Sequence, residues 1–65
     1  MDNRQIARAY GREAAIAYCV RDPNREDLVK QQFWDWMIKV KATKEAFRAF
    51  DDAYWKWIDN YGKGE

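Results

Sequence analysis

Val20-Arg21-Asp22-Pro23-Asn24-Arg25-Glu26-Asp27 is the stretch that decides how this chain folds. A proline cannot continue a helix begun upstream, but it fits the first turn of a new one. Asp22, just before Pro23, has the side chain to cap that turn. Glu26 and Asp27 then fall where the helix dipole favours negative charge. One helix therefore ends near Arg21 and another starts at Pro23.

Working back from the break, residues 3–21 read as the first helix, with Asp2 or Asn3 able to accept from its exposed N–H groups. Ile6, Ala9, Tyr10, Ile16, Ala17 and Val20 share one face at the helical period, which predicts a core stripe. Ala7, Gly11 and Ala14 form a second strip of small residues. Gly11 costs a helix about 1 kcal/mol relative to Ala, and the close approach of another helix is a physical reason to have it there. Glu13 falls within the angular range of the first stripe. A carboxylate in that position must be paired, hydrogen-bonded or at the edge.

Working forward, residues 23–41 read as a second helix, with Lys39 and Lys41 at its favourable C-terminal end. Val29, Phe33, Trp36, Met37 and Val40 make one apolar stripe. Trp34 and Ile38 make another, rotated by roughly 120–160° at about 100° per residue. Two apolar faces predict a helix that is central in a bundle or shared with another chain. Thr43 can cap a third helix over 44–61, and Ala42 can pack on Phe47 as a staple. Neither Gly nor Pro enforces this boundary, so one long bent helix from Pro23 to Tyr61 is the competing reading. Phe47, Phe50, Tyr54, Trp57, Ile58 and Tyr61 repeat at helical spacing, with Ala46 and Ala53 alongside. Gly62 reads as the stop, with fraying expected over 63–65. The expected fold is a small all-α three-helix bundle occupying residues 1–65 as a single domain.

Composition narrows the class further. A 65-residue chain lies near the lower limit for independent folding. With no histidine and only Cys19, it has neither an intrachain disulfide nor zinc-ligand spacing to staple it. Packing has to supply the stability, and four Trp, four Tyr and three Phe supply the packing material. Each buried ring covers about 150–250 Å². Association of identical copies is the other remedy for a small core, so a homo-oligomer is expected. The net charge of +1 argues against a globally basic nucleic-acid binder. No run approaches the ~20 apolar residues of a membrane span, and the start of the chain lacks the apolar core of a signal peptide. These features predict a cytoplasmic protein with no membrane partner.

Three arginines, Arg4, Arg8 and Arg12, stand four residues apart and stack along one helical ridge. Guanidinium groups pair with carboxylates and phosphates, so the ridge is a candidate anion-binding strip. The plainer reading is a solvated helix face. Trp36 and Trp57 lie on the main apolar stripes and are expected in the core. Trp34 and Trp55 do not, and with Ile38 and Tyr18 they form the candidate partner-binding set. Tryptophan is enriched at interface hot spots and also stacks on bases. Asp51 and Asp52, adjacent on a helix, diverge by about 100° and share no metal. Cys19 is expected to be a small filler. General acid–base catalysis usually recruits histidine or a tuned acid in a cleft. The chain offers no such constellation and no cofactor motif. A helix-turn-helix across residues 42–44 would lack the glycine its turn usually carries. The reading that follows is a non-enzymatic protein-binding module, an adaptor or small inhibitor of accessory or viral type. The alternative is nucleic-acid or nucleotide binding through Arg4, Arg8 and Arg12.

Overall fold

The structure is a computed structural model that describes residues 2–63. Three helices account for almost all of it: α1 (Asn3–Cys19), α2 (Pro23–Val40) and α3 (Lys44–Lys63). Each starts as its sequence dictates. The Asp2 carboxylate accepts from Arg4 N at 2.7 Å, the Asp22 carboxylate from Arg25 N at 3.2 Å, and the Thr43 hydroxyl from Glu45 N at 3.3 Å. Pro23 occupies the first turn of α2, where its missing N–H leaves no partner wanting.

The two connections share one design. Arg21 (φ 60°) and Lys41 (φ 53°) both take the left-handed conformation. After each, the next residue's N–H reaches back to close the preceding helix: Asp22 N donates to Ala17 O, and Ala42 N donates to Met37 O, both at 2.9 Å. This is the hydrogen-bond pattern of a glycine-type C-cap, carried out by two basic residues. A left-handed L-residue costs about 1–2 kcal/mol, and the positive charge at a helix C-terminus offsets part of that. The left-handed turn at Lys41 rules out a continuous helix from Pro23 to Tyr61. Gly62 does not act as a stop, because α3 runs through it to Lys63 and neither Gly11 nor Gly62 has a positive φ. Of the fraying expected at 63–65, residues 64 and 65 lie outside the described residues.

The chain runs up, down and up again. Asp2, Asn3 and Arg4 lie beside Thr43, Glu45 and Ala46 at one end, and Tyr18 and Cys19 lie beside Ile58 and Tyr61 at the other. α1 and α3 are therefore parallel, with α2 antiparallel to both. The core at the α1–α3 contact is made of small residues: Ala7, Gly11, Ala14 and Ala15 from α1, with Ala46 and Ala49 from α3. A Cβ added to Gly11 would collide with the Phe50 carbonyl oxygen and lie 3.1 Å from its carbon. The close approach expected of the Ala7/Gly11/Ala14 strip is thus real, and a helix backbone comes right up to Gly11.

That closeness moves the buried face of α1. The core side is the small-residue strip, while of the expected stripe Ala17 is buried, Ile6 and Tyr10 are half-buried, and Ala9, Ile16 and Val20 are exposed. Glu13 is likewise exposed, and its carboxylate lies 3.7 Å from the Arg25 guanidinium. α1, not α2, is the central helix: it packs against both of the others, and its small side chains are what α3 closes upon. α2 attaches through large rings instead. Phe33 stacks on Phe50 with centroids 4.2 Å apart, and Tyr10 lies 5.7 Å from Phe33 and 5.9 Å from Trp36. Phe50 continues to Tyr54 at 6.1 Å, and Tyr54 to Tyr18 at 6.2 Å. One ladder of rings therefore ties all three helices.

Candidate functional site

The core cannot hold every ring. Among the described residues no large side chain is fully buried, and Trp57, expected inside, is 39% exposed, while Trp36 is half-buried. Phe47 and Tyr61 also lie at the surface despite sitting on the apolar stripe of α3. The reason is geometric. An Ala/Gly seam draws α1 and α3 together, leaving little volume between helices for indoles.

Trp34 and Trp55, set apart from the main stripes by their spacing, are 57% and 58% exposed. They stand in different surroundings. Trp34 and Ile38 join Met37, Lys41 and Ala42 around a shallow, mostly apolar depression at the C-terminal end of α2. Ile38, at 64%, is the more exposed of the two. Trp55 is anchored: its indole N–H donates to Asp51 Oδ1 at 3.2 Å, and its ring meets Tyr54 edge-on at 5.2 Å. Asp51 thus serves a tryptophan rather than its neighbour Asp52. Among the described residues no group of His, Cys, Asp or Glu side chains could hold a metal ion.

The arginine ridge divides. Arg4 and Arg8 border an open cleft with Glu45, Arg48, Ala49, Asp51, Asp52 and Trp55, and Arg12 does not line it. Arg4 also lies 3.8 Å from Asp2. The cleft carries both charge signs along an exposed indole, so the ridge faces acidic side chains of α3 as well as solvent. Helical spacing alone located the three arginines but could not bring Glu45 and Arg48 to them, because those residues arrive from another helix.

Tyr18 is exposed at the opposite end, where it lines a second cleft with Cys19, Asp22, Pro23, Glu26, Ile58 and Tyr61. Cys19 is half-buried there. Beneath this cleft lies a polar latch that sequence reading missed. Glu26 Oε2 accepts from the Tyr54 hydroxyl at 2.7 Å and pairs with Lys30 Nζ at 2.8 Å. The Lys30 ammonium also sits 5.2 Å from the Tyr54 ring centroid. The Lys30 hydrogen bond pulls the Glu26 carboxyl below its ordinary range, burial opposes it, and the Tyr54 hydrogen bond adds to the lowering. Burial, followed by the Glu26 hydrogen bond and charge, pushes the Tyr54 hydroxyl well above its ordinary value. The i,i+4 spacing of Glu26 and Lys30 is visible in the sequence. The partnership with Tyr54 is not, since it spans the chain.

No family model, curated protein or solved structure matches this chain. What its fold defines is a small three-helix bundle with aromatic and mixed-charge surfaces. Among the described residues no helix is long and apolar enough to cross a membrane.

Proposed function

We propose that this chain is a non-enzymatic protein-binding module, acting as an adaptor or a small inhibitor. One observation carries the reading: Trp34 and Trp55 are both more than half exposed. Tryptophan left in water forgoes the roughly 25 cal/mol per Å² that burial returns, and tryptophan is over-represented among residues that anchor interfaces. Ile38 beside Trp34, and Tyr18 at the far end, extend the apolar area offered to a polypeptide. Arg4 and Arg8, with Arg48, supply polar contacts around Trp55, where acidic groups of a partner would compete with Glu45 and Asp52 for the guanidiniums.

The test is affinity capture from cell lysate with mass spectrometry, comparing wild type with Trp34→Ala and Trp55→Ala. A defined polypeptide retained by wild type and lost by at least one variant is the expected result. Identical capture by all three chains overturns the reading.

Nucleic-acid or nucleotide binding through Arg4, Arg8 and Arg12 is the second reading, favoured by the indole of Trp55 lying in the same cleft as Arg4 and Arg8. It predicts an affinity that falls steeply with added salt. A chain that retards neither DNA nor RNA at low salt does not work this way.

A further inference from the structure

We propose that the outer face of α2 is a self-pairing seam: two copies of the chain join through antiparallel α2 helices, with Trp34 of each copy seated against Ile38 of the other. The proposal rests on the reading of Trp34 and Ile38 as binding residues and names what they bind.

The spacing comes first. Asp27, Gln31, Trp34, Ile38 and Lys41 recur at intervals of four, three, four and three, and all five are exposed. This is the repeat that keeps one helix face turned toward a partner helix along its length. It lies on the opposite side of α2 from Val29 and Phe33, which are buried inside the bundle. The second apolar face noted in the sequence is therefore unpartnered within one copy.

The shape comes second. In paired helices a knob from one chain enters a hole bounded by four residues at positions i, i+3, i+4 and i+7 of the other. The depression on α2 is bordered by Trp34, Met37, Ile38 and Lys41, with Ala42 at its rim. Those four positions are such a hole, already open on the surface and mostly apolar. The knob that matches it in an antiparallel pair is Trp34 of the second copy. In that register Trp34 faces Ile38 twice about the two-fold axis, and Gln31 faces Lys41 twice outside them.

Charge selects the direction. On the seam itself Asp27 stands near the start and Lys41 at the end, both exposed. Antiparallel pairing brings Asp27 of one helix within about one turn of Lys41 of the other at both ends, and opposes the two helix dipoles. Parallel pairing would stack like charges at both ends. Asp35 is an unfavourable contact: it meets its own copy near the axis, with Lys39 one turn away. A four-turn helix pair is smaller than the about 800 Å² per partner of a standard interface, so the dimer dissociates on dilution.

Sedimentation velocity across a dilution series tests the seam. Wild type is expected to pass reversibly between dimer and monomer. Ile38→Glu and Trp34→Ala should each weaken the dimer at least tenfold, about 1.4 kcal/mol, with unchanged helical circular dichroism. Asp35→Asn should strengthen it, and Trp55→Ala should leave it alone. For the direction, a Gln31→Cys chain mixed with a Lys41→Cys chain, both carrying Cys19→Ser, should cross-link into a heterodimer, while the Lys41→Cys chain alone should not. A monomer at every concentration, a dimer that survives Ile38→Glu, or cross-linking of Lys41→Cys to itself overturns the proposal. A strict monomer that still loses a captured polypeptide on Trp34→Ala sinks the seam but not the protein-binding function. A dimer that captures nothing besides itself sinks the adaptor or inhibitor role and leaves the seam standing.

Discussion

The contact of α1 with α3 and the contact of α2 with the rest are built on opposite principles. The first is an Ala/Gly seam so close that Phe50's carbonyl occupies the space of a missing Cβ at Gly11. The second is a column of rings, Tyr10, Trp36, Phe33 and Phe50, closed at one end by the Glu26–Tyr54 latch. Small side chains bring backbones together and tolerate no added atom. Large rings span a wider gap and leave their helix with a bare outer face. One tiny bundle can thus hold a close-packed pair and an outrigger whose outer face is left bare.

Removing a ring should hurt most. Phe33→Ala takes out the residue that touches Tyr10, Trp36 and Phe50 at once. The expected loss is about 3–5 kcal/mol, against a total of about 3–10 kcal/mol for a chain of this size. Thermal unfolding by circular dichroism should show little or no cooperative transition. If the variant melts like wild type, the ring column does not hold α2.

Gly11→Ala sharpens the other side of the comparison, because two effects disagree in sign. Helix propensity alone would raise stability by about 1 kcal/mol. Overpacking against a backbone that cannot rotate aside costs about 1–3 kcal/mol, so the melting temperature should fall. A rise would mean that α1 and α3 are further apart than described.

Tyr54→Phe tests the latch, with an expected cost of about 1–2 kcal/mol for losing a hydrogen bond to a carboxylate. The pH profile carries the sign. Glu26 is lowered in the folded state, so its contribution is complete above its ordinary value of 4.5 and disappears as pH falls below it. Tyr54 is raised, so its contribution is complete below its ordinary value of 10.0 and disappears as pH rises above it. Wild-type stability should therefore decline on both sides, and Tyr54→Phe should flatten the alkaline side most and the acid side in part, since the Tyr54 hydrogen bond also helps lower Glu26. An unchanged alkaline limb would place the Tyr54 hydroxyl outside the latch.

The smallest expected change is a gain. Lys41 holds a left-handed conformation that glycine adopts freely. Lys41→Gly should stabilise by about 0.5–1 kcal/mol in denaturant titration, and a loss would show that its charge at the end of α2 outweighs the backbone cost.

The three helices were legible because their signals are local. Asp2, Asp22 and Thr43 cap the helices they precede, and Pro23 starts α2 as its ring requires. The exposure of Trp34, Ile38, Trp55 and Tyr18 was also legible, from their angular distance to the main stripes. The faces of α1 and α3 were read less well. Ile16, Val20, Phe47 and Trp57 have the hydrophobicity of core residues, and hydrophobicity is what periodicity weighs. Yet their places lie outside a contact whose width is set by alanine and glycine. A carboxylate at position 13 was likewise placed within the apolar stripe, and it reached the surface once that stripe turned outward.

The order of residues by itself determined where the three helices start, the break at Pro23, and the excess of rings over the space to hide them. All of these follow from interactions a few residues apart or from simple counting. Only the tertiary structure decided which helix is central, that Phe47, Trp57 and Tyr61 also stay wet, and which carboxylate meets Tyr54. Those outcomes depend on how closely two backbones can approach, a distance fixed jointly by side chains far apart in the chain.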